Sequence, residues 1–464
     1  MSLIILNVRL AHTDQDLTTK LYTIHCNGKN VLKMEPQEKF TWNDEWEHDS
    51  IYVNGRGGLL VPSLCHSHIH TDKCFILDKG APLVVGDFSE ALRVTSAVKE
   101  TFIRDTDDLY KRGERLVRES IESGVTCMRA HVEVDKTVQD AGLKTGIKLK
   151  EYFREACDIQ LTLFMQDPIF DNDTDDTPGS NAFLASQAAE RYTSSLGAIG
   201  SAPYVERTRK QQRANIRFVL DLAVKYNLHA DFHIDYDLSP LPADPNSDTA
   251  PLIYYLLDVL HEIRWTERMP GRTIVLGHAT RLTLFSPAQL SDLRERISSL
   301  PVYFVGLPQS DVYMMGRASE QQRRGTLNVC KLGREYDLRV AMSVNNVGNA
   351  FTPQGTPDPM GLCPLGVAVY QDGTLDGCGR LLEAVSISSK RAVGLPESDY
   401  ETASDSDNTA TSLISTVGSP ADFVILHENQ SLQSAVLEPC FPRTTIKDGC
   451  VIAKRDVKRE LYIS

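Results

Sequence analysis

The sequence predicts an α/β protein, a (β/α)8 barrel with a small β-sandwich built from the two ends of the chain. Three observations predict it. Strand-like and helix-like segments alternate through the middle of the chain, the order that lays down a parallel sheet. Short strand candidates and turn dipeptides crowd both ends. Between them, one apolar run, Leu59 to Leu64, ends in three alternating imidazoles, His66, His68 and His70. The expected division is 1–58 for the first half of the sandwich, 59–395 for the barrel, and 396–464 for a linker and the second half.

In the first part, Ser2 to Arg9, Leu21 to Cys26, Asn30 to Met34 and Ile51 to Val53 read as strands, with Asn27-Gly28 and Asn54-Gly55 as hairpin punctuation. After the histidines, Asp87 to Thr101 reads as helix. So does Asp105 to Ser123, where Leu109, Leu116, Val117 and Ile121 recur at helical spacing between an acidic start and Gly124. Val125 to Val134 is a strand, Leu143 to Ala156 a helix and Ile159 to Met165 a strand; Asp171 to Asn181 is an acidic loop, read as solvated, with the covering of a site as the alternative. Helix then precedes strand four times: Gln211 to Tyr226 and Leu228 to His233, Pro251 to Thr266 and Thr273 to Leu276, Pro287 to Ser298 and Val302 to Leu307, Arg323 to Tyr336 and Arg339 to Val344. Helical segments fill Leu362 to Val393. Asp399 to Thr416, rich in Ser, Thr and Asp, reads as a mobile linker. Asp422 to Leu426 and Thr444 to Ala453 are the closing strands.

Composition narrows the function classes. A chain of 464 residues is long enough for a large barrel and an accessory unit. The formal net charge of −13 argues against a nucleic-acid backbone or an anionic membrane as partner, leaving a small molecule; self-association stays open. No stretch approaches the roughly 20 apolar residues needed to span a bilayer. Ten cysteines without a C-x-x-C, and an N-terminal run without signal-peptide character, suggest reduced thiols in a cytoplasmic protein.

The histidines carry the chemistry. Residues two apart in a strand share a face, so a His-x-His pair aims two nitrogens at one point. Neutral imidazole is the commonest side-chain ligand of a catalytic metal. Three in five residues favour a metal over a polar strand end. Barrel active sites gather residues from the C-terminal ends of several strands. His131 and His233 each end a strand candidate, and His278 follows Ile274 to Gly277.

Further motifs surround these residues. Asp72 and Lys73 closely follow His68-x-His70; Arg129-Ala-His131-Val-Glu133-Val-Asp135 forms a second pattern; Gln166 follows Leu161 to Met165; and His233-Ile-Asp235 forms another. The segment Leu307 to Arg317 and the ending Ala421-Asp422-Phe423 to Lys447-Asp448-Gly449 complete the set. Over nearly its whole length the chain resembles the cytosine-deaminase-like branch of the metal-dependent amidohydrolase superfamily. The resemblance implies one divalent ion, zinc or iron, held by His68, His70, His233 and an eighth-strand aspartate, which activates water against a C–N carbon. It implies that His278 orients or deprotonates that water, and that Gln166 and His131 meet the substrate.

Two positions depart from the pattern. Tyr236 stands where the family has a proton-shuttling glutamate, and Asn345 where it has the eighth-strand aspartate. Both changes remove a carboxylate, and general acid–base help is typically worth about 10²–10⁴ in rate. Asp311 stands where the family has asparagine and could return one charge; Asp235, Asp237 or Tyr236 itself could also serve, against solvated or helix-capping roles for each. His66 falls outside the ligand pair, and Cys65 and Cys74 read as structural. His131-Val-Glu133 lacks the P-C-x-x-C of zinc nucleoside deaminases, and no G-x-S-x-G is present. The expectation is a hydrolase cleaving a non-peptide C–N bond of a cyclic or amide-like small molecule. Its competitors are a catalytically silent binding protein of the same fold and a metal-dependent lyase or isomerase.

Overall fold

The computed structural model describes residues 2–12, 19–37, 50–172, 177–242, 244, 247–317, 325–395, 413 and 416–462. Eight parallel strands form the barrel in chain order: β6 (Leu64–His70), β7 (Val125–Glu133), β8 (Asp158–Met165), β9 (Leu196–Ser201), β10 (His229–Ile234), β11 (Ile274–His278), β12 (Val302–Gly306) and β13 (Val340–Met342). The ring closes just beyond β13. Asn345 bridges Ile69 there, with the Asn345 amide donating to the His68 carbonyl (3.2 Å) and the His70 amide to the Asn345 carbonyl (2.9 Å).

The other eight strands make one mixed sheet from both ends of the chain. They are β1 (Ser2–Leu10), β2 (Tyr22–Asn27), β3 (Asn30–Pro36), β4 (Ser50–Asn54), β5 (Leu59–Pro62), β14 (Phe423–Leu426), β15 (Arg443–Lys447) and β16 (Cys450–Arg455). This sheet has its own apolar cluster, including Ile5, Ile24, Phe423 and Ile446. The barrel with a terminal β-layer is the architecture expected.

Local chemistry explains the boundaries. The helix Thr106–Ser123 is started by the Asp105 carboxylate, which accepts the Asp108 amide, and stopped by Gly124 at φ 113°. Gly124 is doubly required, because a Cβ there would lie 2.5 Å from Val424 of β14. The floor of the barrel is tied to the terminal sheet by buried polar groups. Lys390 Nζ donates to Ser63 Oγ (2.7 Å), and Arg443 donates to the Ser123 carbonyl (2.8 Å) and to Asp358 (2.8 Å).

Several local expectations change. The run Leu59 to Leu64 is not one strand: Leu59–Pro62 pairs antiparallel with β14 in the terminal sheet, and the barrel strand starts at Leu64. The helix Ser180–Arg191 and the fourth barrel strand, β9, lie where none was expected; part of the Asp171 to Asn181 loop is the start of that helix. The helix expected from Arg323 begins at Val329, and 318–324 lie outside the described residues. Most of the expected linker, Asp399 to Thr416, also lies outside them. No helix among the described residues is long and apolar enough to cross a membrane.

Candidate metal centre

Parallel register brings the imidazoles together. His70 lies beside His131, His233 beside Gly277, and Ile234 beside His278. The ring centroids of His68 lie 4.2 Å from His131, 4.5 Å from His233, 5.4 Å from His70 and 6.0 Å from His278. One nitrogen each from His68, His233 and His278 falls within 4.8 Å of the others. His70 flanks this trio, 5.2 Å from His233 between centroids. Residues from three separate strands therefore converge on one point.

His66 is turned elsewhere. Between His66 and Ile69 the register with β7 shifts, so His66 pairs with Met128 while Ile69 pairs with Ala130. An extra residue in one strand reverses which face the following side chains take. His66 Nε2 meets Ser120 Oγ (3.1 Å) on the outer helix, and burial pushes its pKa down to about 4.

The inner rings have the properties of metal ligands. Burial pushes His68, His70, His131 and His233 well below the usual imidazole pKa, so they are neutral with lone pairs available. Both ring nitrogens of His68, His70 and His131, Nε2 of His233 and Oδ1 of Asn345 are buried without a hydrogen-bond partner. Orphaned buried acceptors are rare unless something occupies the space between them. A divalent ion fits this donor set.

His278 is held from behind. Its Nδ1 donates to Asp311 Oδ1 at 2.7 Å, while Asp311 Oδ2 accepts from Thr326 Oγ1 (2.8 Å) and the Leu307 amide (3.2 Å). Burial drives the His278 pKa down to about 3 and raises that of Asp311. With Nδ1 engaged, Nε2 is the free nitrogen of the ring. Tyr236 stacks on the other side of His278, with centroids 3.7 Å apart and planes 27° from parallel. Burial lifts the Tyr236 phenol well above its usual pKa, so it stays neutral. Asn345 Nδ2 donates to Ser310 Oγ (2.8 Å), leaving Oδ1 as its free acceptor.

Backbone strain gathers at the same rim. Asp235, His278, Ala279 and Asn345 have φ of 48°, 65°, 44° and 68°, a left-handed region costly for residues other than glycine. Gly277 is the converse case: a Cβ there would lie 2.9 Å from His68 Cε1 and 3.0 Å from its Nδ1. The absent side chain of Gly277 is the space His68 occupies.

The remaining candidates separate. Asp235 accepts the Leu252 (2.7 Å) and Ile253 (3.0 Å) amides and caps the helix they open. Asp237 accepts the Ser239 amide (2.7 Å) at a partly exposed turn. Gln166 lies on a small cavity of about 20 Å³, also lined by His70, Lys73, Tyr236, His278 and Asn345 and walled by Phe88, Tyr204 and Phe351. Gln166 Oε1 accepts from Lys73 (3.3 Å), orienting the amide. His131 is buried below this cavity, packed against His68, His70 and Phe164. Cys65 and Cys74 are buried free thiols, raised by burial.

Two features escaped the sequence reading. Glu133 is clamped between Lys73 (2.9 Å) and Lys99 (2.5 Å), and Lys99 also reaches Asp135 (2.8 Å) and Asp167 (3.4 Å). Burial would raise Glu133, but the two ammonium groups outweigh it and hold the carboxyl at about 2. Asp231 lies beneath the imidazoles, paired with Arg129 at 3.1 Å. Its sequence signal was available: two residues before His233, it shares a strand face with that histidine.

No family model matches the chain, and no curated protein matches it in sequence. Solved structures do match it in fold. A 5-methylcytosine deaminase from Klebsiella pneumoniae, liganded with 5-fluorocytosine, superposes with a TM-score of 0.81 at 21% identity, covering 99% of each chain. An N-isopropylammelide isopropylaminohydrolase from Burkholderia multivorans gives 0.73 at 18% identity, over 98% of this chain and 99% of the other. An adenosine deaminase from Xanthomonas campestris with bound zinc gives 0.62 at 15% identity, over 98% and 93%. At these identities the likeness establishes the fold alone, which this chain shares with all three proteins.

Proposed function

We propose that the chain is a metal-dependent hydrolase that cleaves a non-peptide C–N bond in a cyclic or amide-like small molecule. The single observation carrying this is the convergence of buried, neutral imidazoles from β6, β10 and β11 on one point, those of His68 and His233 with ring nitrogens that have no hydrogen-bond partner. The support from fold is that the proteins sharing it include two deaminases and an isopropylaminohydrolase. His68, His70 and His233 would hold the ion, zinc or iron, and the unpartnered Asn345 Oδ1 would offer an oxygen donor. Such an ion acidifies water and polarises the bond under attack.

The chain's own residues then have to move one proton. His278 accepts it from the attacking water at Nε2, becoming an imidazolium that Asp311 stabilises through Nδ1. It returns that proton to the departing nitrogen. This pairing places a carboxylate behind the base rather than on the ion, an arrangement compatible with the loss of charge at Asn345 and Tyr236. Tyr236 limits the travel of the His278 ring by stacking on it. Gln166 and Lys73 supply donors for a substrate carbonyl, and His131 supports the ligand rings from below.

Elemental analysis of protein purified without chelators, with His68→Ala as control, is the test. About one metal ion per chain, lost in the variant, is expected; metal-free protein from both preparations would sink the proposal. The second reading, a silent binding protein, is favoured by the Tyr236–His278 stack, which fills the position of a proton shuttle. Incubating the metal-loaded chain with candidate amides in ¹⁸O-labelled water separates the readings, because only hydrolysis puts label into the product.

A further inference from the structure

Asp231 has a completed side and an open one. Oδ2 is fixed by Arg129 Nη1 (3.1 Å), and Arg129 is itself immobilised by Gln160 Oε1 (2.6 Å) and the Val393 carbonyl (3.2 Å). Oδ1 has no hydrogen-bond donor, although Asp231 is fully buried. It lies 3.8 Å from His68 Nδ1 and 3.9 Å from His131 Nε2. Both distances exceed hydrogen-bond length, and a closure of about 1 Å would make either one a bond.

We propose that Asp231, clamped by Arg129, is the positioning residue of the metal centre: its free oxygen accepts the Nδ1–H of His68 and so fixes the tautomer in which Nε2 keeps its lone pair for a metal ion. This rests on the metal-dependent reading above. A metal-ligating imidazole nearly always donates its other N–H to a carboxylate, carbonyl or water, which fixes its tautomer and raises its basicity. His68 needs that partner most. It is central to the cluster, neither of its ring nitrogens has a hydrogen-bond partner, and its Nδ1 edge packs into the space left by the missing Cβ of Gly277. Arg129 fixes the carboxylate through its other oxygen at 3.1 Å, and His131 Nε2 lies 3.9 Å from the free one.

The test uses cobalt(II) as probe in the full chain, with Asp231→Asn and, in case a lone buried Arg129 prevents folding, the double variant Arg129→Gln/Asp231→Asn. Replacing both partners removes the uncompensated charge. Cobalt affinity by chelator competition should fall about 10- to 100-fold in whichever variant folds. In wild type, one paramagnetically shifted, exchangeable imidazole N–H should exchange slowly with solvent, and in the variant that resonance should exchange quickly or vanish. Affinity and exchange unchanged in the variants overturn the proposal while leaving the metal reading intact. So do two cobalt ions per wild-type chain with one lost in the variant, because Asp231 would then be a ligand. Wild-type protein that binds no cobalt fails the metal reading itself, and this proposal with it.

Discussion

At the scale of single residues, the centre is defined by what is missing as much as by what is present. Gly277 leaves the volume that His68 fills. Gly277→Ala should therefore displace His68 and reduce bound metal at least about 10-fold, the scale on which a disturbed ligand orientation weakens affinity. Circular dichroism should stay that of the folded barrel; normal metal content in this variant would show that His68 is not a ligand. Asp311 supplies a different test. Its replacement by Asn keeps an acceptor for His278 Nδ1 but removes the charge that steadies an imidazolium. Turnover of an active substrate should fall about 10²-fold or more, within the range of general acid–base catalysis, while metal affinity changes little. Equal turnover would leave His278 without a proton-transfer role. Much of this was legible in the sequence: His68, His70, His233 and His278 stand out by their places at strand ends. The His66 position was less so, because a bulge between His66 and Ile69 changes the facing of side chains without any mark in residue type. The Asp311–His278 contact spans 33 residues, with a helix and a barrel strand between, and no local pattern encodes it.

At the scale of elements, the cavity wall depends on a short loop. Glu90, in the first turn of the helix Phe88–Lys99, accepts the amides of Val84 (3.1 Å), Val85 (2.9 Å) and Gly86 (2.7 Å), while Asp87 accepts the Glu90 amide (2.8 Å). These bonds pin the chain immediately before Phe88, whose ring meets Tyr236 and Phe351 at 5.7 Å each. Glu90→Ala should release those three amides, seen as faster hydrogen exchange at 84–86 with exchange in β6 and β10 unchanged. Unaltered exchange at the loop would mean that other contacts hold it. Helices with strong apolar periodicity, such as Thr106–Ser123, were readable from sequence. β9 was not, for a reason of packing. In Leu196-Gly-Ala-Ile-Gly-Ser, Gly200 is required because a Cβ would lie 2.1 Å from the Asp231 carbonyl oxygen. Close approach between barrel strands selects glycine, and glycine erases the strand signal.

At the scale of the whole molecule, distant segments meet at both ends of the barrel, and the floor carries a pH dependence of its own. His229 begins β10, and its Nδ1 accepts the Thr273 amide (2.9 Å) at the start of the neighbouring segment. The ring fills the space that a Cβ on Gly394, at φ 83°, would take, 2.1 Å from Cε1. A nitrogen accepting a backbone N–H cannot also carry a proton, and burial together with the nearby Arg129 and Arg272 charges lowers the His229 pKa to about 2. The unfolded chain takes up a proton at this residue below about pH 6.5, and the native chain does not until about pH 2. The native state therefore has His229's full contribution above pH 6.5 and loses it as the pH falls, by about 1.4 kcal/mol per unit. Other buried groups titrate as well, so the measurement has to isolate one residue. His229→Gln retains an acceptor for Thr273 and cannot take the proton. Urea unfolding of the metal-free variant and parent at pH 7.5 and pH 5 should show the variant gaining on its parent by about 2 kcal/mol at the lower pH. A stability difference that is the same at both values would mean that the ring is protonated in the native barrel, contrary to its contact with the Thr273 amide.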